Sequence, residues 1–156
     1  MTQEFRREQL TADIISAIQS GTSLVLGVSG DVQKLHLVSE RLCQRSTWPN
    51  FPVGTQISEK MVVQNSPCTP HLVRDSLPAL PDSASAVVVT EVDLLFEPTF
   101  NLDPASLFRQ ISRYTPLVVF WPGRYRNNVL SYAVPEHAHY RTWRMQDTEI
   151  QIVLIQ

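Results

Sequence analysis

Helical and strand periods alternate along the chain. Leu10, Ile14, Ile15 and Ile18 recur at three- and four-residue intervals, reach back to Phe5 and stop at Gly21, which predicts an amphipathic helix. Residues 23–28 (Ser-Leu-Val-Leu-Gly-Val) follow as an apolar run of strand length. From about Val32 to Gln44, Leu35, Val38 and Leu42 share one helical face, and Trp48-Pro49-Asn50-Phe51-Pro52 breaks it. Residues 53–82 carry the weakest pattern, and 57–63 fit either a short helix or a strand. Thr69-Pro70 has the form of an N-cap followed by proline at the first helical position, opening a short helix to about Leu77 that Pro78 and Pro81 close. Residues 84–90 are a second apolar strand. Asp103-Pro104 caps a helix through Arg113, with Leu107, Phe108 and Ile111 facing inward. Residues 116–121 form a third apolar strand, ended by Pro122-Gly123. Arg126-Asn127-Asn128 predicts a turn before a strand over 129–134, and 150–155 predicts a terminal strand. Strands this uniformly apolar are covered on both faces, so the pattern predicts an α/β fold with a mainly parallel sheet flanked by helices.

Composition narrows this. At 156 residues the chain is long enough for one domain, 1–156, with a substantial core, and no internal repeat or low-complexity segment divides it. Lys and Arg number 13 against 15 Asp and Glu, a formal net charge of -2, which argues against broad non-specific nucleic-acid binding. Local basic patches remain open, because Arg113, Arg124, Arg126, Arg141 and Arg144 crowd the last third. Two cysteines, Cys43 and Cys68, make no disulfide framework. Residues 1–9 are charged without an apolar signal core, and no apolar run reaches the roughly 18 residues of a spanning helix. The expectation is a soluble, cytoplasmic protein that does not enter membranes.

The first strand and second helix enclose the most informative segment. A phosphate-binding P-loop reads G-x-x-x-x-G-K-[ST]: backbone N–H groups cradle phosphate at a helix N-terminus, the lysine reaches the terminal phosphates and the hydroxyl holds Mg²⁺. With Gly27 as first glycine, this chain keeps Gly27 and gains Gly30, but it sets Val32, Gln33 and Lys34 where the second glycine, lysine and hydroxyl belong. Valine resists φ > 0 and fills space near the phosphates. Gln33 can donate a hydrogen bond without charge. Lys34 is turned by about 100° around the helix and would set a cation at the metal position. Contacts to a nucleotide, ATP or ADP, would fall to Gly27, Ser29, Gly30, Asp31, Gln33 and Lys34, with residual phosphate held by the backbone of 29–31. Spacing alone favours an ordinary strand-turn-helix.

After the second apolar strand come Thr90, Glu91 and Asp93. An apolar strand ending in acid coordinates Mg²⁺ or polarises water in P-loop ATPases. Here Thr90 takes the first position. Alternation along an extended chain would aim Glu91 and Asp93 the same way, with Glu91 as a candidate general base. Acidic residues leaving a buried strand for solvent explain the pattern as simply.

Several downstream blocks share a distinctive order and spacing: residues 91–98 (Glu-Val-Asp-Leu-Leu-Phe-Glu-Pro), Leu102-Asp103-Pro104, Trp121-Pro122-Gly123-Arg124-Tyr125, residues 130–137 (Leu-Ser-Tyr-Ala-Val-Pro-Glu-His) and Tyr140-Arg141. In these the chain resembles the BrxF family, small P-loop-containing proteins of bacteriophage-exclusion (BREX) defence systems. The resemblance implies a three-layer P-loop NTPase-like fold with a RecA/AAA-like core and no helical lid. It also implies a role in phage restriction beside a methyltransferase, a phosphatase-like protein and large ATPases, and it makes 27–34 the register of a true P-loop. Against that pattern, Val32, Gln33, Lys34 and Thr90 are departures that speak against ATP hydrolysis.

The sequence reading is therefore an accessory defence protein, a degenerate P-loop module that assembles with itself or with other defence components. Two alternatives stand beside it. One is an ATP-binding switch in which Lys34 and Glu91 carry the chemistry; the other is a DNA-contacting adaptor using the late arginines. Arg124, at the carboxyl end of a predicted strand, could meet a phosphate or act in trans on a neighbouring subunit, or be solvated in a turn. With Glu91 and Asp93 it completes the weak catalytic candidates. Cys68-Thr69-Pro70-His71 is half a metal site, and His137-Ala138-His139 sets two imidazoles on one side of an extended segment. Neither has the remaining ligands, so no metal is expected.

Overall fold

The computed structural model describes residues 2–145 and 150–156; Met1, at the head of the charged N-terminal stretch, lies outside them. Helix α1 (Gln3–Gln19) is capped by Thr2, whose hydroxyl accepts from the Phe5 amide, and it leads to strand β1 (Leu24–Ser29), buried along its whole length. Then come α2 (Val32–Ser46), β2 (Asn50–Pro52), α3 (Val53–Gln64), α4 (Pro70–Ser76) and β3 (Val87–Thr90). Two 3₁₀ turns (Val92–Phe96 and Pro98–Phe100) precede α5 (Pro104–Ser112), β4 (Leu117–Arg126), β5 (Val129–Tyr132), β6 (Arg141–Arg144) and β7 (Ile150–Leu154). The strands β2-β3-β4-β1-β7 form a parallel sheet in that order, and β5 and β6 add antiparallel to the outer half of β4.

The apolar runs resolve into two faces because successive strand side chains point oppositely. Leu24, Leu26, Val28, Val87, Val89, Leu117, Val119 and Trp121 enter one core, under α3, α4, α5 and the β5–β6 ribbon. Val25, Val88, Val118 and Phe120 enter the other, against Ile14 and Ile18 of α1 and Leu35, Val38 and Leu42 of α2. This is an α/β fold with a mostly parallel sheet and helices on both faces. The Glu8 carboxylate joins α1 to α2 by accepting from the Arg41 and Arg45 guanidiniums, which hold it below the usual carboxylate range. No helix among the described residues is long and apolar enough to cross a membrane.

The structure settles one reading that the pattern left open, and it also departs from the pattern. Residues 57–63 are helical, inside α3. The Pro-rich segment after α2 carries an edge strand, β2, whose central Phe51 is fully buried. Pro122-Gly123 does not end β4: the strand leaves its ladder with β1 at Pro122 and continues four residues, paired with β5. The strand expected over 129–134 stops at Tyr132 because Ala133 turns into the left-handed region (φ 62°).

Candidate functional site

Between β1 and α2 lie only Gly30 and Asp31. Gly27, expected to open a phosphate loop, is a mid-strand residue paired with Phe120 and Val153. A Cβ there would meet the Ile155 Cδ1 at 3.0 Å and the Phe120 ring at 3.2 Å, so this glycine makes room for core side chains. Gly30 has an ordinary φ, and a Cβ on it would find only the Gly123 carbonyl oxygen, at 3.9 Å. Neither glycine bends backbone around an anion.

Three of the amide donors a phosphate would use are already occupied. Asp31 is the N-cap of α2, and its Oδ1 accepts from the Gln33 amide at 3.0 Å and the Lys34 amide at 3.4 Å. The Asp31 amide itself donates to Ser29 Oγ at 3.0 Å. A helix N-terminus attracts anions because its first N–H groups are unpaired and its dipole is positive. Here a carboxylate of the chain supplies both the charge and the acceptor, so a phosphate would have to displace it.

A cleft of about 520 Å³ opens beside this turn, between α2, Asn50 of β2, the carboxyl end of β3 and the point where β4 leaves its ladder with β1. That is where ligands of open α/β sheets settle. Among its lining residues are His36, Glu40, Asn50, Thr90, Glu91 and Asp93. Among the described residues no lysine or arginine lines it; it holds three carboxylates and the His36 imidazole, 3.6 Å from Glu40. Lys34 lines a separate cavity on the other flank of α2, with Arg6, Arg7 and Gln156. Lys34 and Glu91, paired in the switch reading, are therefore not brought together.

Glu91 and Asp93 also diverge, contrary to the extended alternation expected for them. Glu91 adopts φ 54°, and a 3₁₀ turn follows at once, so the chain is not extended there. Its Oε1 accepts from the Thr55 amide (3.1 Å) and hydroxyl (2.8 Å), while its carbonyl accepts from the Gly54 amide. Pro52 gives α3 no side-chain cap, so Glu91 acts as the cap from another strand. Asp93 accepts instead from the Tyr132 hydroxyl at 2.7 Å. Burial, then this bond and the Asp93 charge, push the Tyr132 phenol well above its ordinary range. Thr90 donates to Asn50 across the β2–β3 pair at 3.1 Å.

The aromatic residues beneath this region had no individual sequence signal. Trp121, fully buried, packs edge-on against Phe96 (centroids 5.0 Å) and Trp143 (5.2 Å), and Phe96 stacks on Tyr132 at 3.7 Å. The Trp121 indole donates to the Ser131 carbonyl (3.0 Å) and that of Trp143 to Asp103 (2.9 Å). Arg141 donates to the Leu102 carbonyl at 2.7 Å and lies over the Trp143 ring. The separated blocks 91–98, 102–104, 121–125, 130–137 and 140–141 thus meet in one junction that fastens the β5–β6 ribbon to the sheet. A periodicity reading finds the strands in it but not their convergence.

The remaining candidates separate. Arg124 is exposed on β4, beyond the cleft. His71 pairs with Asp75 at 2.8 Å, and Cys68 and Cys43 have thiols pushed up by burial. The segment bearing His137 and His139 is turned rather than extended: the His137 amide donates to the Val134 carbonyl, and His137 Nδ1 accepts from the His139 amide. Among the described residues no three His, Cys, Asp or Glu side chains group to hold a metal ion. No family model, curated protein or solved structure matches the chain.

Proposed function

We propose that this chain is a P-loop-derived module with a closed nucleotide site, serving as an assembly component of a BREX-type phage-defence system. The observation that carries the closed site is the Asp31 carboxylate on the Gln33 and Lys34 amides. The acidic cleft and the separation of Lys34 from Glu91 support it, because nucleotide phosphates need cations where this cleft offers carboxylates. Descent from a P-loop protein of RecA/AAA-like core is supported by the parallel order β2-β3-β4-β1-β7, in which β4 separates the loop strand from the strand that ends beside acid. The defence role rests on the resemblance of the junction blocks to the BrxF family. Partners on this reading are a second copy of the chain or the system's methyltransferase, phosphatase-like protein and large ATPases.

A phage-plaquing assay in a host carrying the complete defence system tests this. Deleting the gene abolishes protection, and resupplying the Lys34→Ala or Gln33→Ala variant restores it, since neither side chain serves chemistry. Protection unaffected by deletion overturns the defence role. A folded Lys34→Ala protein that fails to restore protection overturns the closed site.

A further inference from the structure

The arginines of the last third do not share one environment. Arg141 is turned inward onto Trp143 and the Leu102 carbonyl. Arg124, Arg126 and Arg144 are all exposed and lie on the opposite face of the same ribbon. The register fixes this: Arg124 opposes Ser131, which opposes Thr142, and Arg126 opposes Val129, which opposes Arg144. Directly opposed residues share a face. The alternate row, Tyr125, Leu130 and Trp143, is packed against the core. Side chains two residues apart on a strand are separated by about 6.6–6.8 Å, and next-but-one strands by about 9.5 Å. Three guanidiniums therefore occupy a patch roughly one strand-repeat by two strand-widths.

Val129, Thr142 and the mostly buried Ser131 share the face, and Ala133, Pro135 and Tyr140 border the hollow that Arg124 and Arg126 line. Among the described residues none of the three arginines forms an ion pair. The carboxylates of Glu40, Glu91 and Asp93 line the cleft and not this hollow.

We propose that this face of the β4–β5–β6 ribbon contacts the phosphate backbone of duplex DNA. Guanidinium forks match phosphate oxygens in charge and geometry. A β-ribbon has the width to lie along a major groove or across its walls. Single strands are held by successive stacked rings, and of the rings on and beside the ribbon Tyr125, Tyr132 and Trp143 face inward, leaving Tyr140 next to Arg124 and Arg126. Binding is sequence-independent, because the contacts are to phosphate. The inference stands whether or not the nucleotide site is closed.

Fluorescence anisotropy with a short labelled duplex, titrated at several salt concentrations, tests it. Three phosphate contacts give a slope of log K against log salt of about −2.7, a loss of about 40-fold in affinity between 50 and 200 mM salt. Each of Arg124→Ala, Arg126→Ala and Arg144→Ala lowers that slope by about 0.9, and the triple variant loses binding at the lowest salt. The triple lysine variant retains it, and Arg113→Ala, at the end of α5 and off the ribbon, changes nothing. All the altered side chains are exposed, and circular dichroism verifies the fold. Absence of duplex binding by the unaltered protein overturns the proposal. So does an undiminished slope in the single variants, or tighter binding to a single strand of the same sequence or to polyglutamate.

Discussion

Gly123 is the position where the ribbon's attachment to the sheet tolerates least. It lies at the point where β4 leaves β1 and turns onto β5. A Cβ added there would overlap the Ser131 carbonyl oxygen outright, with the carbonyl carbon at 2.9 Å and the Trp121 indole nitrogen at 3.2 Å. The obstacle is backbone, so no rotamer change relieves it. Gly123→Ala must push β5 away from β4, which strains the pairing of position 123 with Tyr132, the Ala133 amide bond to the Pro122 carbonyl (3.2 Å) and the Trp121 indole bond to Ser131 (3.0 Å). A buried indole N–H without a partner costs about 1–3 kcal/mol, and each further hydrogen bond about 1 kcal/mol. Overpacking adds about 1–3 kcal/mol. The expected destabilisation is about 4 kcal/mol, a large part of the 5–15 kcal/mol that holds a typical domain. Urea unfolding followed by tryptophan fluorescence measures it, and near-ultraviolet circular dichroism follows the Trp121 environment. Gly30→Ala, which meets only the Gly123 carbonyl oxygen at an ordinary 3.9 Å, should stay within about 0.5 kcal/mol of the parent. A Gly123→Ala protein within that same margin would refute the reasoning.

Glu91→Ala removes the acceptor that caps α3 and should cost about 1 kcal/mol in urea unfolding, whereas Glu91→Gln keeps an oxygen at Oε1 and should recover most of it. Equal loss in both would mean that the charge rather than the acceptor matters. Tyr132→Phe removes the hydroxyl that Asp93 accepts from and should cost about 1 kcal/mol at neutral pH. Because the folded phenol titrates above the ordinary value of 10.0, folding keeps a proton that the unfolded chain releases. The Tyr132 contribution is therefore fully present below about pH 10 and declines above it, at no more than about 1.4 kcal/mol per pH unit. Unfolding free energies of parent and Tyr132→Phe proteins should converge as pH rises through that window; a constant gap would contradict the assignment.

The sheet and its covering helices were legible because burial on both faces imposes an unmistakable pattern. Within the runs 23–28, 84–90 and 116–121, residues 24–28, 86–89 and 117–121 are uniformly apolar since every side chain there meets a core. Caps were legible for the same local reason: Thr69 and Asp103 each accept the helix amide that their spacing to Pro70 and Pro104 predicts. β2 was hidden because three residues beside two prolines carry no period. β6 was hidden because Arg-Thr-Trp-Arg has one aromatic and one arginine turned inward and Thr142 and Arg144 turned outward, a pattern equally consistent with a solvated loop. At the turn, sequence placed Gly30 and Asp31 correctly between strand and helix, while Ser29 proves to be the last residue of the strand. It missed that Asp31 is the anion at that helix start, because glycine spacing describes a loop's outline and not which group fills it. Glu91 was misjudged for a conformational reason: a left-handed residue before a 3₁₀ turn destroys the alternation on which the two-acid argument stood.

The central claim is that the start of α2 is closed to phosphate by Asp31. Titration of the protein with millimolar ATP, with and without Mg²⁺, while following the thermal unfolding midpoint, tests it most directly. Binding at a hundredfold excess over Kd would stabilise the fold by about 2.7 kcal/mol, a readily visible shift. The account predicts an unchanged midpoint with and without magnesium. A magnesium-dependent rise that Lys34→Ala abolishes would contradict it.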